Sequence, residues 1–146
     1  MDETRRTLLQ SISLGIAALA MTSTALAAVD MQPNQPLQSI ALPFAEMKVT
    51  GDPATHTMRQ ILKGVTHSGA HIEVHESTLA PGAMPHPPHH HANEELILLS
   101  EGTIDMTIAG KTTRLGPCSA AFVHSNEEHG TKNPGRVPAR YFVVAL

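Results

Sequence analysis

Tryptophan is absent, and Phe44, Phe122, Tyr141 and Phe142 are the whole aromatic set. A platform that stacks bases or sugars therefore has little to build with. Cysteine occurs once, as Cys118, which excludes an intrachain disulfide framework and any Cys-rich zinc module. Positive charge is not in excess, since 10 Lys and Arg stand against 13 Asp and Glu, a formal net charge of −3. Binding modes that depend on a basic surface are disfavoured, so no nucleic-acid partner is expected. There is no long amphipathic helical pattern, no helix-turn-helix and no internal repeat. At 146 residues the chain is sized for one domain. What is abundant is histidine, with 10 residues.

The N-terminus reads as an address. Arg5-Arg6 precede a stretch with no charged residue until Asp30. Its most apolar part, Ile12 to Met21, is short for a membrane span. Ala25-Leu26-Ala27 then gives a small-x-small cleavage site. The paired arginines resemble a twin-arginine export signal, although Leu stands where an aromatic residue is usual. A general secretory signal, whose first segment is also basic, is the alternative. Residues 1–27 are expected to be removed after Ala27. The mature protein would be periplasmic or secreted and free of the membrane. All ten His lie beyond that point.

Residues 28–57 carry Pro33, Pro36, Pro43 and Pro53 and read as an extended arm, with one strand near Lys48-Val49. From Met58 to Leu146 short apolar runs recur between Gly, Pro and Asn: 58–65, 71–79, 94–99, 103–108, 111–115, 119–123 and 139–146. This spacing predicts an antiparallel all-β sandwich or barrel. In the run from Thr103 to Ile108, alternation turns Ile104, Met106 and Ile108 inward, and Ala109-Gly110 supplies the turn. Leu96-Ile97-Leu98-Leu99 is apolar on both faces, which predicts cover on both sides from a second sheet or a partner subunit. Cys118 is expected as a small buried filler.

The chemistry lies between Gly82 and Gly102. On a strand, His89 and His91 project to one side and His90 to the other. Glu95, four residues after His91, can return to the same place after a short turn. Two imidazoles and one carboxylate make a set that binds a metal ion and leaves positions open. A fourth donor has to come from elsewhere, and His129 is the best candidate. A loose His-rich tract would also bind metal weakly. That reading leaves Glu95, Gly102 and the apolar strand between them unexplained.

These residues resemble the first motif of the cupin family. His89-x-His91, three residues, Glu95, six residues and Gly102 follow its pattern, while six residues rather than five separate Gly82 from His89. The second cupin motif is matched at His129 and Asn133. It departs at Cys118 and Asn126, which stand at its glycines, and at His124, which stands at its proline. The resemblance implies an antiparallel double-stranded β-helix, or jelly-roll barrel. It also implies one divalent metal ion held by His89, His91, Glu95 and His129. Family members hold Fe, Mn, Ni, Zn, Cu or Co.

With four protein donors, a six-coordinate ion keeps about two positions for water, O₂ or a chelating substrate. The favoured expectation is a dioxygenase or oxidase acting on a small chelating organic acid or phenol, with Glu95 as ligand and, on dissociation, base. The alternatives are a metal-assisted isomerase, lyase or hydrolase, or a non-catalytic metal or small-ligand binder. Mn or Fe is the expected ion, because a barrel that closes before export could retain a weak binder against Cu and Zn. His75 and His124 are both available to line the pocket. A homodimer is expected, paired through a sheet face or the arm.

Overall fold

A computed structural model describes residues 36–146. The export segment and the first part of the arm lie outside the described residues. The described chain opens on a 3-10 turn, Phe44–Glu46. Nine strands follow: β1 Val49–Asp52, β2 His56–Val65, β3 His71–Leu79, β4 Glu95–Glu101, β5 Ile104–Ile108, β6 Lys111–Leu115, β7 Ala120–Val123, β8 His129–Lys132 and β9 Ala139–Ala145. They form an antiparallel six-stranded sheet, β1-β2-β3-β9-β4-β7, and a three-stranded sheet, β6-β5-β8. The fold is all-β and of the jelly-roll kind. No helix among the described residues is long and apolar enough to cross a membrane.

Alternation decides what lies between the sheets. Along β9, Ala139, Tyr141, Val143 and Ala145 are buried, while Arg140, Phe142 and Val144 face out. On β4, Ile97 and Leu99 point inward, and on β5, Ile104 and Met106 do. With Leu79 and Val123 these side chains make one contiguous core. The turn between β5 and β6 has positive φ at both Ala109 and Gly110, the twist a two-residue hairpin requires. Gly102 follows β4 at φ +77°, where a Cβ would lie 2.5 Å from the Pro138 carbonyl oxygen, so the β4–β5 corner admits no side chain.

The arm carries the strand expected near Lys48-Val49, which is β1. β1 pairs with β2, which begins at His56, so from Val49 onward the arm is continuous with the barrel sheet. Within the described residues, β4 is covered on one face only. Ile97 and Leu99 are enclosed by the second sheet, whereas Leu98 is 41 % exposed on the outer face, beside Phe122 at 56 %. An antiparallel sheet can leave one face to solvent, and among the described residues nothing covers this one. Cys118 is exposed rather than buried. It stands in the turn before β7 at φ +66°, and Asn126 stands at +62°. Both positions keep the left-handed backbone that glycine adopts freely, which is why the second motif places glycine there.

The outer face carries one buried charge. The Glu76 side chain is 0 % exposed. Its Oε2 lies 2.9 Å from Arg59 Nη1, and its Oε1 lies 3.3 Å from Arg140 Nε and takes a hydrogen bond from Thr78. The Phe44 ring packs against both guanidinium groups, 4.3 Å from Arg59 and 5.1 Å from Arg140. This is how the segment before β1 is fastened to the sheet.

Candidate functional site

The loop from Pro81 to Glu94 contains Pro85, Pro87 and Pro88, which lack the N–H that a strand ladder needs. His89 and His91 therefore do not sit on a regular strand, contrary to the alternation argument. A single backbone bridge replaces it. His89 N–H donates to the His129 carbonyl, and His129 N–H donates to the His89 carbonyl, each at 2.9 Å. His91 is held separately, its carbonyl accepting the Asn126 N–H at 2.7 Å. Gly130 leaves room for this approach, since a Cβ there would lie 3.1 Å from the Pro88 ring.

The outcome of the alternation argument survives the change of backbone. One donor atom from each of His89, His91 and His129 lies within 4.8 Å of the others. The His90 side chain is exposed, away from the cluster. Glu95 opens β4 and places its carboxylate between two of the rings. Its Oε1 is 3.2 Å from His91 Nε2 and its Oε2 is 3.3 Å from His129 Nε2. The structure thus brings together all four residues that the sequence nominated.

Tautomers follow from the hydrogen bonds. His129 Nδ1 lies 2.9 Å from the Glu127 carbonyl, and His91 Nδ1 lies 3.0 Å from the Asn93 carbonyl. A carbonyl oxygen only accepts, so each Nδ1 carries a proton and Nε2 is the atom left to offer a lone pair to a metal ion. His129 Nε2 is buried and makes no hydrogen bond, and His89 Nδ1 is likewise without a partner. Burial, then the neighbouring His86, His129 and His91, hold His89 below the ordinary imidazole range. Imidazoles with their free ring nitrogens gathered beside a carboxylate fit a divalent transition ion, and the carbonyls behind two of them fix ring orientation as such sites require.

The remaining histidines separate clearly. His86 is exposed and meets the His89 ring edge-on, with centroids 4.1 Å apart. His124 is exposed at the rim, 3.1 Å from Glu127. His75 is directed inward from β3, its Nδ1 buried and unpartnered, and burial holds its imidazole below the usual range. Beside it a polar row crosses the barrel interior. His56 Nε2 is 3.1 Å from Ser77 Oγ, and the buried Tyr141 hydroxyl lies near Ser77 and Thr131. Burial pushes the Tyr141 phenol up to about 12. Sequence reasoning missed all three: Tyr141 and Ser77 are inward positions of runs it had found, whereas Thr131 lies on β8, which no apolar run marks. Asn133, the last residue of the second motif, is wholly buried. Its side-chain amide donates to the Leu79 and Val137 carbonyls and accepts from Gly135 N–H, so it ties the end of β8 to β3 and is remote from metal chemistry.

Comparison with known proteins agrees with the fold. A family described as the cupin domain matches residues 75–145. No curated protein matches the sequence significantly. Many solved structures share the fold. An RmlC-like cupin from Shewanella frigidimarina NCIMB 400 is 17 % identical with a TM-score of 0.61, over 74 % of this chain and 91 % of that one. A predicted oxalate decarboxylase from Thermotoga maritima is 16 % identical with a TM-score of 0.62, over 73 % and 98 %. The polyketide cyclase RemF from Streptomyces resistomycificus is 24 % identical with a TM-score of 0.59, over 74 % and 79 %.

Proposed function

Taking the chain as a domain of the cupin fold, we propose that it is a metal-dependent enzyme acting on a small chelating organic substrate, of the dioxygenase or oxidase type. The observation that carries this is the convergence of His89, His91 and His129 on one point, with the Glu95 carboxylate between two of them. These four residues are the proposed ligands. The ion supplies Lewis acidity and, where it is redox-active, one-electron chemistry. The chain's own residues do the rest. Glu127 and Asn93 hold two ligand rings in register through their carbonyls. Glu95 is the one anionic donor of the set and the proposed proton acceptor. Ile97 follows Glu95 on the inward face of β4 and pairs with Val143, and both are buried in the core.

Mn or Fe is the proposed ion, loaded before export by a chain that folds in the cytoplasm. A general export route delivers unfolded chains, and a site of this make-up would then take Zn or Cu, following the order of intrinsic affinity. The proposed compartment is the periplasm, with residues 1–27 as signal and 28–57 as the arm leading into the barrel. The proposed assembly is a homodimer that covers Leu98 and Phe122, and a strictly monomeric mass by light scattering at micromolar concentration rejects it.

The test of function is oxygen consumption and product formation with chelating acids and phenols, on protein of defined metal content. Turnover that requires Mn or Fe is the expected result. Protein isolated with Zn and inert toward O₂ would favour the second reading, a metal-assisted isomerase, lyase or hydrolase. Metal retention with no turnover at all would leave a binding protein.

A further inference from the structure

The two sheets do not close on each other everywhere. β6 is the last strand of the small sheet and β7 the last strand of the large one, and no pairing joins them among the described residues. Between them lies a cavity of about 540 Å³. Its walls belong to strand faces that are inward by register. Ile108, Met106 and Ile104 pair with Lys111, Thr113 and Leu115, so these six share one face. Met106 forms the floor at 2 % exposure, while Thr113 above it is open to solvent. Opposite stands Ala121, directed inward from β7 and small enough to leave the space.

We propose that this seam is a binding site for a compact, largely apolar small molecule bearing an acidic head group. Volume and lining fit such a body, since ligand cavities are mostly apolar with a few polar groups that set orientation. The head group follows from the rim. Two charges line it, Lys111 and Glu127. Glu127 is engaged by His124 at 3.1 Å, whereas Lys111 makes no ion pair among the described residues. Lys111 is therefore the rim cation free to meet an anionic group, while Glu127 keeps its own charge except where His124 is protonated. None of the four candidate metal ligands lines this cavity, so the site does not depend on the metal reading. The two are neighbours all the same. Ile108 pairs with His129 across β5 and β8, and the Glu127 carbonyl is the partner of His129 Nδ1.

The experiment uses two fluorescent probes on the protein as produced: the anionic 8-anilino-1-naphthalenesulfonate and the neutral N-phenyl-1-naphthylamine. Both should bind. Ala121→Trp fills the cavity from β7 and should weaken both about tenfold or more. Thr113→Trp fills it from β6 and should do the same, which keeps the test valid if one variant fails to fold. Lys111→Glu should weaken the sulfonate about fivefold and leave the neutral probe unchanged. Phe122→Ser, on the outer face, should change neither. His129→Ala should remove metal and leave both probes bound, which separates this proposal from the metal reading. Unaltered binding in both filling variants would overturn it, as would loss of binding in Phe122→Ser. Equal effects of Lys111→Glu on the two probes would overturn the acidic head group.

Discussion

Arg59 Nη1 and Glu76 Oε2 meet 2.9 Å apart on the outer face of the barrel, under the Phe44 ring. The carboxylate is fully enclosed, so it is held by its cations and not by water. Removing one partner of a buried pair costs far more than the pair contributes, because a charge is left without compensation. Arg59→Met should therefore lower stability by about 3 kcal/mol, read from urea denaturation midpoints. A loss under about 1 kcal/mol would mean that Arg140 alone suffices.

Among the proposed ligands, His89→Ala, His91→Ala and His129→Ala should each weaken metal binding by about a hundredfold or more, measured by mass spectrometry after dialysis against a competing chelator. His90→Ala should keep its metal, because that side chain is exposed. Metal lost from His90→Ala and kept by His89→Ala would reverse the assignment.

Tyr141 makes stability depend on alkaline pH. Its phenol titrates at about 12 in the folded protein and near 10 when unfolded. Between those values the unfolded chain releases a proton that the folded chain keeps. The stabilisation is fully present below pH about 10 and is lost as pH rises through about 12, by roughly 2–3 kcal/mol. Tyr141→Phe should flatten this part of the profile. Parallel denaturation curves for the two proteins from pH 9 to 11.5 would refute the burial argument.

The two glycines of the first motif should respond differently to alanine. Both have φ +77°. At Gly82 nothing lies within 4 Å of an added Cβ, so Gly82→Ala carries only the backbone strain of about 1 kcal/mol. At Gly102 the Cβ would meet the Pro138 carbonyl oxygen at 2.5 Å and Ala139 Cα at 2.7 Å. Gly102→Ala should cost about 3 kcal/mol or more. Thermal melts of the two variants give the comparison, and equal midpoints would show that the β4–β5 corner can shift.

Export gives a prediction of another kind. The mature chain should begin at Ala28, by N-terminal sequencing of periplasmic protein. A chain that still begins near Met1 and pellets with membranes would instead be anchored.

Alternating runs announced themselves. β3 and β6 lie at 71–79 and 111–115, where the apolar runs place them, and β9 begins at Ala139 as they predict. β8 was illegible because its inward side chains are polar. His129, Gly130 and Thr131 are all buried there and only Lys132 is exposed, so no apolar period marks the strand. The grouping of His89, His91 and Glu95 was legible because spacing within one loop and one strand start survives even when the loop is not a strand, whereas His129 was nominated mainly by the resemblance to the second cupin motif. The polar row through His56, Ser77, Tyr141 and Thr131 was not, since four strands distant in sequence assemble it. The exposure of Cys118 was misjudged because its residue type says small and apolar, whereas its place is decided by a positive φ.

The reciprocal backbone bonds between His89 and His129 bear on what an arriving ion has to arrange. Two of the three clustered imidazoles hang from main chain already clasped together, so their spacing is built into the scaffold. A flexible histidine tract must give up chain freedom each time it wraps a cation, and its grip is weakened by that amount. Here the freedom was surrendered when the barrel closed. Loading becomes the filling of a rigid socket, and an ion that departs leaves the socket at the size the next one requires.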